Sequence, residues 1–148
     1  MPDIEFSRCI VKIYVRSSSL KVVKFDEGIK TIPNGLFYGC NGLKEITPPD
    51  TITKIQDAAF CECTSLKEIF VPNTVTEMES SIFFTGIFSY CSNLMTVHLP
   101  EKIINIPNSC FKDCGALTNV NIPETVEIIE GDAFQNCTSL RKLIYLIV

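Results

Sequence analysis

Eight cysteines and one histidine are the residues of this sequence with the most chemical capacity. Thiolates act as nucleophiles and metal ligands, and imidazole acts as a base or a ligand. Cys61 with Cys63 and Cys110 with Cys114 form close pairs, but neither pair has a second one at the spacing of a zinc site. A thiol nucleophile also needs a base within hydrogen-bond reach, and His98 is the single histidine available. We therefore predict no catalysis, no metal and no cofactor.

The spacing of the cysteines indicates a structural role instead. Five of them follow a Phe by three residues and precede a Leu by three, and the successive Phe residues are 23, 28, 23 and 23 positions apart. Such self-similarity is typical of a repeat protein, in which equivalent residues stack on one another. We expect these five to form a ladder of small buried side chains. Of the remaining three, Cys61 and Cys110 are expected to be exposed on the convex side, and Cys9 lies in the degenerate N-terminal coil. The ladder residues are Cys40, Cys63, Cys91, Cys114 and Cys137.

Composition excludes several classes of protein. The 148 residues are 46% hydrophobic and 20% charged, with a net charge of -4, so the chain is too apolar for a disordered protein. No apolar run approaches the ~18 residues of a membrane-spanning helix, and the first residues lack the pattern of a signal peptide. Without clusters of Lys and Arg, nucleic acid is not an expected partner.

The elements that carry these residues can be predicted from one repeat. Glu68 to Val71 alternate polar and apolar residues, as in a half-buried strand, and Pro72 ends the strand because it has no N–H to donate. The segment 57–63 is predicted to form a short helical turn, with Asp57 as its N-cap. The inward side chains of one repeat cannot be buried within that repeat, so the repeats must stack as the coils of a solenoid.

We therefore predict a single solenoid domain over residues 1–148. Residues 1–25 form a degenerate N-terminal coil, and residues 26–148 form about five repeats with a five-residue insertion near 84–88. Each coil is expected to contribute a strand to a parallel sheet.

The repeat unit A-F-x-x-C-x-x-L-x-x-I-x-[LIV]-P-x-x-[IV]-x-x-I resembles the BspA-type leucine-rich repeat over residues 20 to 146. This resemblance implies a right-handed solenoid with a concave parallel β-sheet and short helical turns or loops on the convex side. It also implies a non-enzymatic, protein-binding or adhesion function at the cell surface or in secreted form, since the family is known from surface proteins of bacteria and protozoan parasites. A cytoplasmic location is the alternative, because no signal peptide is present.

The outward residues of the concave sheet are the first predicted binding site. One column reads Lys24, Thr47, Phe70, His98, Asn121 and Ile144, and the neighbouring column contains Glu68. An exposed aromatic residue beside His98 and Met95 is typical of a protein interface, although a solvated strand surface is the alternative. We predict a protein-binding strip that comprises Glu68, Phe70, Met95, His98 and Asn121.

Two further surfaces follow from irregularities of the repeat. The insertion brings Phe84 and Ile87 into an apolar bulge, which is either a second contact site for a partner or a thickened core. The last repeat ends on its strand without a polar cap, so the chain is expected either to continue a longer array or to pair end to end as a homodimer. The competing functions are an intracellular scaffold and a self-associating structural module.

Overall fold

The computed structural model describes residues 4–6, 18–21, 23–26, 28–81 and 85–141. Ten short strands, all paired in parallel, follow one another around the coils, and the described part of the chain contains no helix. The strands are β1 (Ile4–Phe6), β2 (Val23–Phe25), β3 (Thr31–Ile32), β4 (Lys54–Ile55), β5 (Glu68–Phe70), β6 (Glu77–Met78), β7 (Thr96–His98), β8 (Asn105–Ile106), β9 (Asn119–Asn121) and β10 (Ile128–Ile129). The predicted solenoid is therefore confirmed.

Each coil contributes to two sheets. On the concave side β5, β7 and β9 pair in that order, with Phe70 opposite His98 and His98 opposite Asn121; we call this the concave sheet. The second sheet is divided into β3–β4–β6 and β8–β10. At the N-terminal end β1 pairs with β2, so part of the degenerate coil adopts the strand geometry of the repeats.

A column of phenylalanine rings forms the centre of the core. Neighbouring rings of the five repeat phenylalanines lie parallel, with centroids 5.2 to 5.5 Å apart. Four of the rings are completely buried. Such stacking adds about 0.5–1.5 kcal/mol per pair to the free energy gained from burying the rings. The column comprises Phe37, Phe60, Phe88, Phe111 and Phe134.

The five ladder cysteines are buried beside this column, as predicted. In the last four coils the thiol also donates a hydrogen bond to the carbonyl of the Phe of the preceding coil, at Sγ–O distances of 3.0 to 3.2 Å. For example, Cys91 Sγ donates to Phe60 O. A ladder cysteine therefore both fills space and links two coils.

The placement predicted for Cys61 and Cys110 is wrong, since both are completely buried. Cys110 belongs to the column directly before the repeat Phe, and all five members of that column are buried. Cys61 O accepts a hydrogen bond from Gly39 N of the preceding coil, and the Tyr38 hydroxyl reaches Glu62, the residue after Cys61. The Cys110 column comprises Leu36, Ala59, Ile87, Cys110 and Ala133.

The described convex side consists of hydrogen-bonded turns, so of the two predicted forms, short helical turns or loops, it has the second, and residues 57–63 form no helix. Nine of the ten residues that lie two before or two after a repeat Phe adopt positive φ, for example Ala58 at 52° and Glu62 at 60°, and Gly86 is the exception. A left-handed residue interrupts a helix, and the backbone N–H groups then donate to the next coil, as Phe37 N does to Ala59 O at 2.8 Å.

Two irregularities interrupt the sheets without interrupting the core. Pro48 corresponds in the repeat to Val71, whose N–H donates to His98 O. Because proline has no N–H, the corresponding bond from residue 48 to Phe70 O cannot form, and residues 45–47 are not a strand. The insertion separates β6 from β8, and Phe88 continues the aromatic column after it. The end of the insertion is fixed by Gly86 N, which donates to Ser89 Oγ, and by Ser89 Oγ, which donates to Ser109 O, both at 2.7 Å.

The left-handed positions generate a prediction about stability. We expect Ala58→Gly to raise the free energy of unfolding by about 0.5 kcal/mol, because the relief of the left-handed alanine exceeds the entropy cost of glycine. The neighbouring Ala59→Gly is the matched control, since Ala59 is buried without a positive φ and its replacement should lower that free energy by about 1 kcal/mol. Urea unfolding measures both. Destabilisation by both variants to the same extent would contradict the role of the turn geometry.

Candidate protein-binding surface

The concave sheet places the predicted strip residues on its outer face. In β5 the burial alternates, so that Ile69 faces the core while Glu68 and Phe70 face solvent. His98 and Asn121 occupy the positions of Phe70 in β7 and β9, and Met95 directly precedes β7. Because the strands pair in parallel and in register, residues at equivalent positions of successive repeats become neighbouring side chains on the sheet.

Phe70 and His98 form the centre of this strip. Their ring centroids are 4.0 Å apart and the rings are inclined by 4° to each other, although 58% of Phe70 remains exposed. His98 Nε2 lies 3.1 Å from Glu68 Oε1. Because an ionised carboxylate only accepts hydrogen bonds, this contact requires a proton on Nε2. The stack and this contact together fix the orientation of the imidazole.

The sheet positions around the aromatic pair are polar, and an exposed methionine directly precedes β7. Asn121 is exposed on the C-terminal side of His98, and Thr96 lies beside Glu68 in the register of the sheet. Met95 is 44% exposed. The strip therefore combines an aromatic and thioether surface with amide, hydroxyl and carboxylate groups that can form hydrogen bonds.

Of the two residues predicted in the insertion, Ile87 lies among the described residues and is not part of this surface. Ile87 is completely buried in the core, in the column that directly precedes the repeat Phe. Phe84 lies outside the described residues, and so do Leu143 and Tyr145 of the last repeat. The structure shows other exposed apolar residues that the repeat pattern did not reveal, above all Ile104, directly before β8, and Ile128 in β10.

The chemistry of the described thiols is dominated by burial. Removal from water raises the pKa of Cys63, Cys91, Cys110 and Cys114 far above the usual 9.0, and raises the pKa of Cys137 to about 11. A neutral thiol is a poor nucleophile. Among the described residues, no group of three or more His, Cys, Asp or Glu side chains is arranged to hold a metal ion.

Comparison with known proteins agrees with this architecture. The model of the BspA type leucine rich repeat region matches residues 10–141 with six copies. The chain belongs to the BspA-type leucine-rich repeat family. A comparison with curated proteins finds no match. In the part of the chain that the structure describes, no helix is long and apolar enough to cross a membrane.

Solved structures of bacterial leucine-rich repeat proteins are similar to this chain. A leucine-rich repeat protein from Bacteroides ovatus has 31% identity and a TM-score of 0.76, over 83% of this chain and 30% of that protein. The leucine rich repeat protein of T. pallidum has 26% identity and a TM-score of 0.58, over 82% of this chain and 65% of that protein. One from Eubacterium ventriosum has 26% identity and a TM-score of 0.55, over 82% and 40%. This BspA-type chain thus spans less than two thirds of each of these relatives.

The buried thiols of this BspA-type protein lead to a prediction about pH. Because their pKa values are raised by folding, the unfolded chain loses thiol protons above pH 9 while the folded chain retains them. The thiols therefore favour the folded state below about pH 9, and stability should fall as the pH rises from 9 towards 11. The slope is roughly 1.4 kcal/mol per pH unit for each thiol that ionises only in the unfolded chain.

Urea unfolding between pH 8 and pH 10.5 measures this effect. The variant Cys91→Ala, which removes one fully buried thiol, should lose less stability over the same pH interval than the unchanged chain, although it starts lower. A pH dependence that is identical in both proteins would contradict the assignment. Rapid reaction of these thiols with a disulfide reagent before unfolding would contradict it as well.

Proposed function

We propose that this chain is a non-enzymatic module that binds a protein partner through the strip on its concave sheet. The observation that carries the proposal is the exposure of Phe70 on a sheet whose other outward residues are mostly polar. Burial of an aromatic side chain by a partner contributes about 1.5–3 kcal/mol, and aromatic residues are enriched at the energetic centres of interfaces. The polar groups of Glu68, Asn121 and Thr96 suit the rim of such an interface.

The arrangement of reactive groups supports a binding function over catalysis. His98 lies on the outer face of the concave sheet, whereas the described thiols lie in the core behind the sheet, where burial raises the pKa of thiols such as that of Cys91. A nucleophile and a base on opposite sides of a sheet cannot exchange a proton directly. In the stack with Phe70 the imidazole of His98 acts as a packing surface for the phenyl ring.

Adhesion at the cell surface is the form of this function that the family resemblance favours. The partner is then a protein of another cell, a protein of a host, or a second copy of the chain. An intracellular scaffold that uses the same strip is the rival proposal. Surface biotinylation of intact cells that express the full natural protein separates the two, because only a surface-displayed chain is labelled.

Self-association through the C-terminal end is a second candidate function. In the last described repeat several inward positions are only partly buried, for example Val126, Ile129 and Phe134, whereas their equivalents in the preceding repeat are fully buried. A partly covered end of a solenoid is a surface for another coil. Light scattering should then show a mass that rises with concentration, and a constant monomer mass would contradict this second function.

The strip predicts a specific effect of one substitution. Phe70→Ala should weaken the binding of a partner by about 2 kcal/mol, or roughly 30-fold, because it removes the apolar centre of the interface. Partners are first captured from intact cells with the immobilised chain, and each is then titrated against the purified variants by biolayer interferometry.

Ile104→Ala is the matched control, since Ile104 is 61% exposed and lies at the second sheet. A true partner of the strip should bind this variant like the unchanged chain. A captured protein that binds the unchanged chain, Phe70→Ala and Ile104→Ala with equal affinity does not use the strip, and if every captured protein behaves so, the proposed site is wrong.

A further inference from the structure

The two described methionines occupy opposite kinds of position in the repeat. Met78 belongs to an inward column that is otherwise isoleucine in the described repeats, and it is 5% exposed. Met95 belongs to an outward column in which every described member is exposed, and it is 44% exposed. The other members of this outward column are polar or charged, so the packing of the coils does not account for a thioether there. These other members are Lys44, Lys67, Thr118 and Arg141.

Hydrogen bonds to both neighbouring coils hold the backbone of Met95. Its N–H donates to Lys67 O at 2.8 Å, and its carbonyl accepts from the N–H groups of Thr118 at 3.0 Å and Asn119 at 3.1 Å. The exposed side chain therefore belongs to a residue that is fixed in the stack of coils. Because the thioether and its methyl group are the outer atoms of an unbranched side chain, exposure to this extent brings them to the surface of the folded protein.

The thiols, which are the usual first targets of an oxidant, are shielded in this chain. All seven described cysteines are buried. Burial also raises the pKa of Cys91 and Cys110 well above the usual 9.0, and this disfavours the thiolate, which is the form that attacks a peroxide. In the described part of the chain, Met95 is therefore the sulfur-containing side chain that an oxidant meets while the protein is folded.

Oxidation of a thioether requires a two-electron oxidant such as hydrogen peroxide. A sulfur lone pair attacks one peroxide oxygen, so that an S–O bond forms and the O–O bond breaks, and the second oxygen leaves as water after proton transfer. The sulfur is oxidised and the peroxide is reduced by the same two electrons. The product, methionine sulfoxide, is polar where the thioether was apolar, and methionine sulfoxide reductases reverse its formation.

We propose that Met95 is an oxidation site whose conversion to the sulfoxide by a peroxide weakens the binding of a partner to the strip. The effect on binding rests on the function proposed above. Met95 lies three residues before His98, or about 10 Å along the strand. A partner that covers about 800 Å² centred on Phe70 and His98 also covers Met95. A sulfoxide at this position replaces an apolar contact of that partner by a polar group.

The kinetics of peroxide oxidation test the site itself, without a partner. The full chain is treated with hydrogen peroxide under native conditions, and oxidation of each methionine and each cysteine is followed with time by peptide mapping and mass spectrometry. Met95 should be oxidised at least about tenfold faster than Met78, because susceptibility follows exposure. In urea the two rates should become similar, since unfolding exposes both side chains. Oxidation of Met78 or of a described thiol as fast as that of Met95 in the folded chain overturns the proposal.

The effect on binding is measured with a captured protein whose affinity falls with Phe70→Ala. The oxidised chain should bind this protein roughly fivefold more weakly than the unoxidised chain, because the apolar contact of the thioether is lost. Treatment with methionine sulfoxide reductase should restore the affinity. Met95→Leu cannot form a sulfoxide, so its affinity should be the same before and after peroxide. Met78→Leu is the matched control, and it should keep the peroxide sensitivity of the unchanged chain.

The outcomes separate failure of this proposal from failure of the proposed function. If Phe70→Ala weakens binding and peroxide does not, the strip remains the binding site and the oxidation proposal is overturned. It is overturned as well if Met95→Leu loses as much affinity on peroxide treatment as the unchanged chain, because another residue is then responsible. If neither Phe70→Ala nor peroxide changes the binding of any captured protein, the proposed function fails, and the regulatory effect of Met95 fails with it.

Discussion

The stacking of each coil on the next is the constraint on which every other feature of this protein depends. The inward side chains of one repeat have no partners within that repeat, so their burial is achieved only when the neighbouring coil places its own side chains at the same height. The column of phenylalanine rings at 5.2 to 5.5 Å is the most direct expression of this requirement. The thiol-to-carbonyl bonds follow from the same register. In the last four coils the cysteine three residues after the Phe lies within hydrogen-bond distance of the carbonyl of the Phe of the preceding coil, as Cys91 Sγ does with Phe60 O.

Because the core imposes the register, irregularities of the sequence are absorbed by the sheets. Pro48 removes a donor from the concave side, and the insertion divides the second sheet, yet the aromatic column runs through both places. The concave strip adjoins the first of these interruptions. Phe70 lies on β5, the first strand of the concave sheet after the repeat that contains Pro48. An interruption leaves backbone and side-chain groups without the neighbour that a regular repeat would supply, and such groups remain available to a ligand.

The sequence was sufficient for the parts of the fold that repeat. The period of 23 residues, the ladder cysteines and the stacked pair of Phe70 and His98 all follow from columns of equivalent residues, since in-register parallel pairing makes columns into neighbours. The burial of Cys110 and Ile87 could have been predicted by the same means, because their column is apolar throughout. Cys61 was less accessible to this reasoning, since Ser89 and Lys112 are polar members of its column. The break of the second sheet between β6 and β8 could not be predicted, because the residues inserted there have no equivalent in the other repeats.

The outward columns explain why the fold can be inferred far more securely than the ligand. The inward position of β5, β7 and β9 is occupied by Ile69, Val97 and Val120, and Ile46 is the equivalent residue of the preceding repeat. These residues differ by little in size and polarity because the neighbouring coils fix the space available. One residue further along each repeat, the outward position holds Thr47, Phe70, His98 and Asn121, on which no such restriction acts. The outward residues that could distinguish one ligand from another are therefore those that differ between repeats. In this column the aromatic stack of Phe70 on His98 stands between the polar residues Thr47 and Asn121.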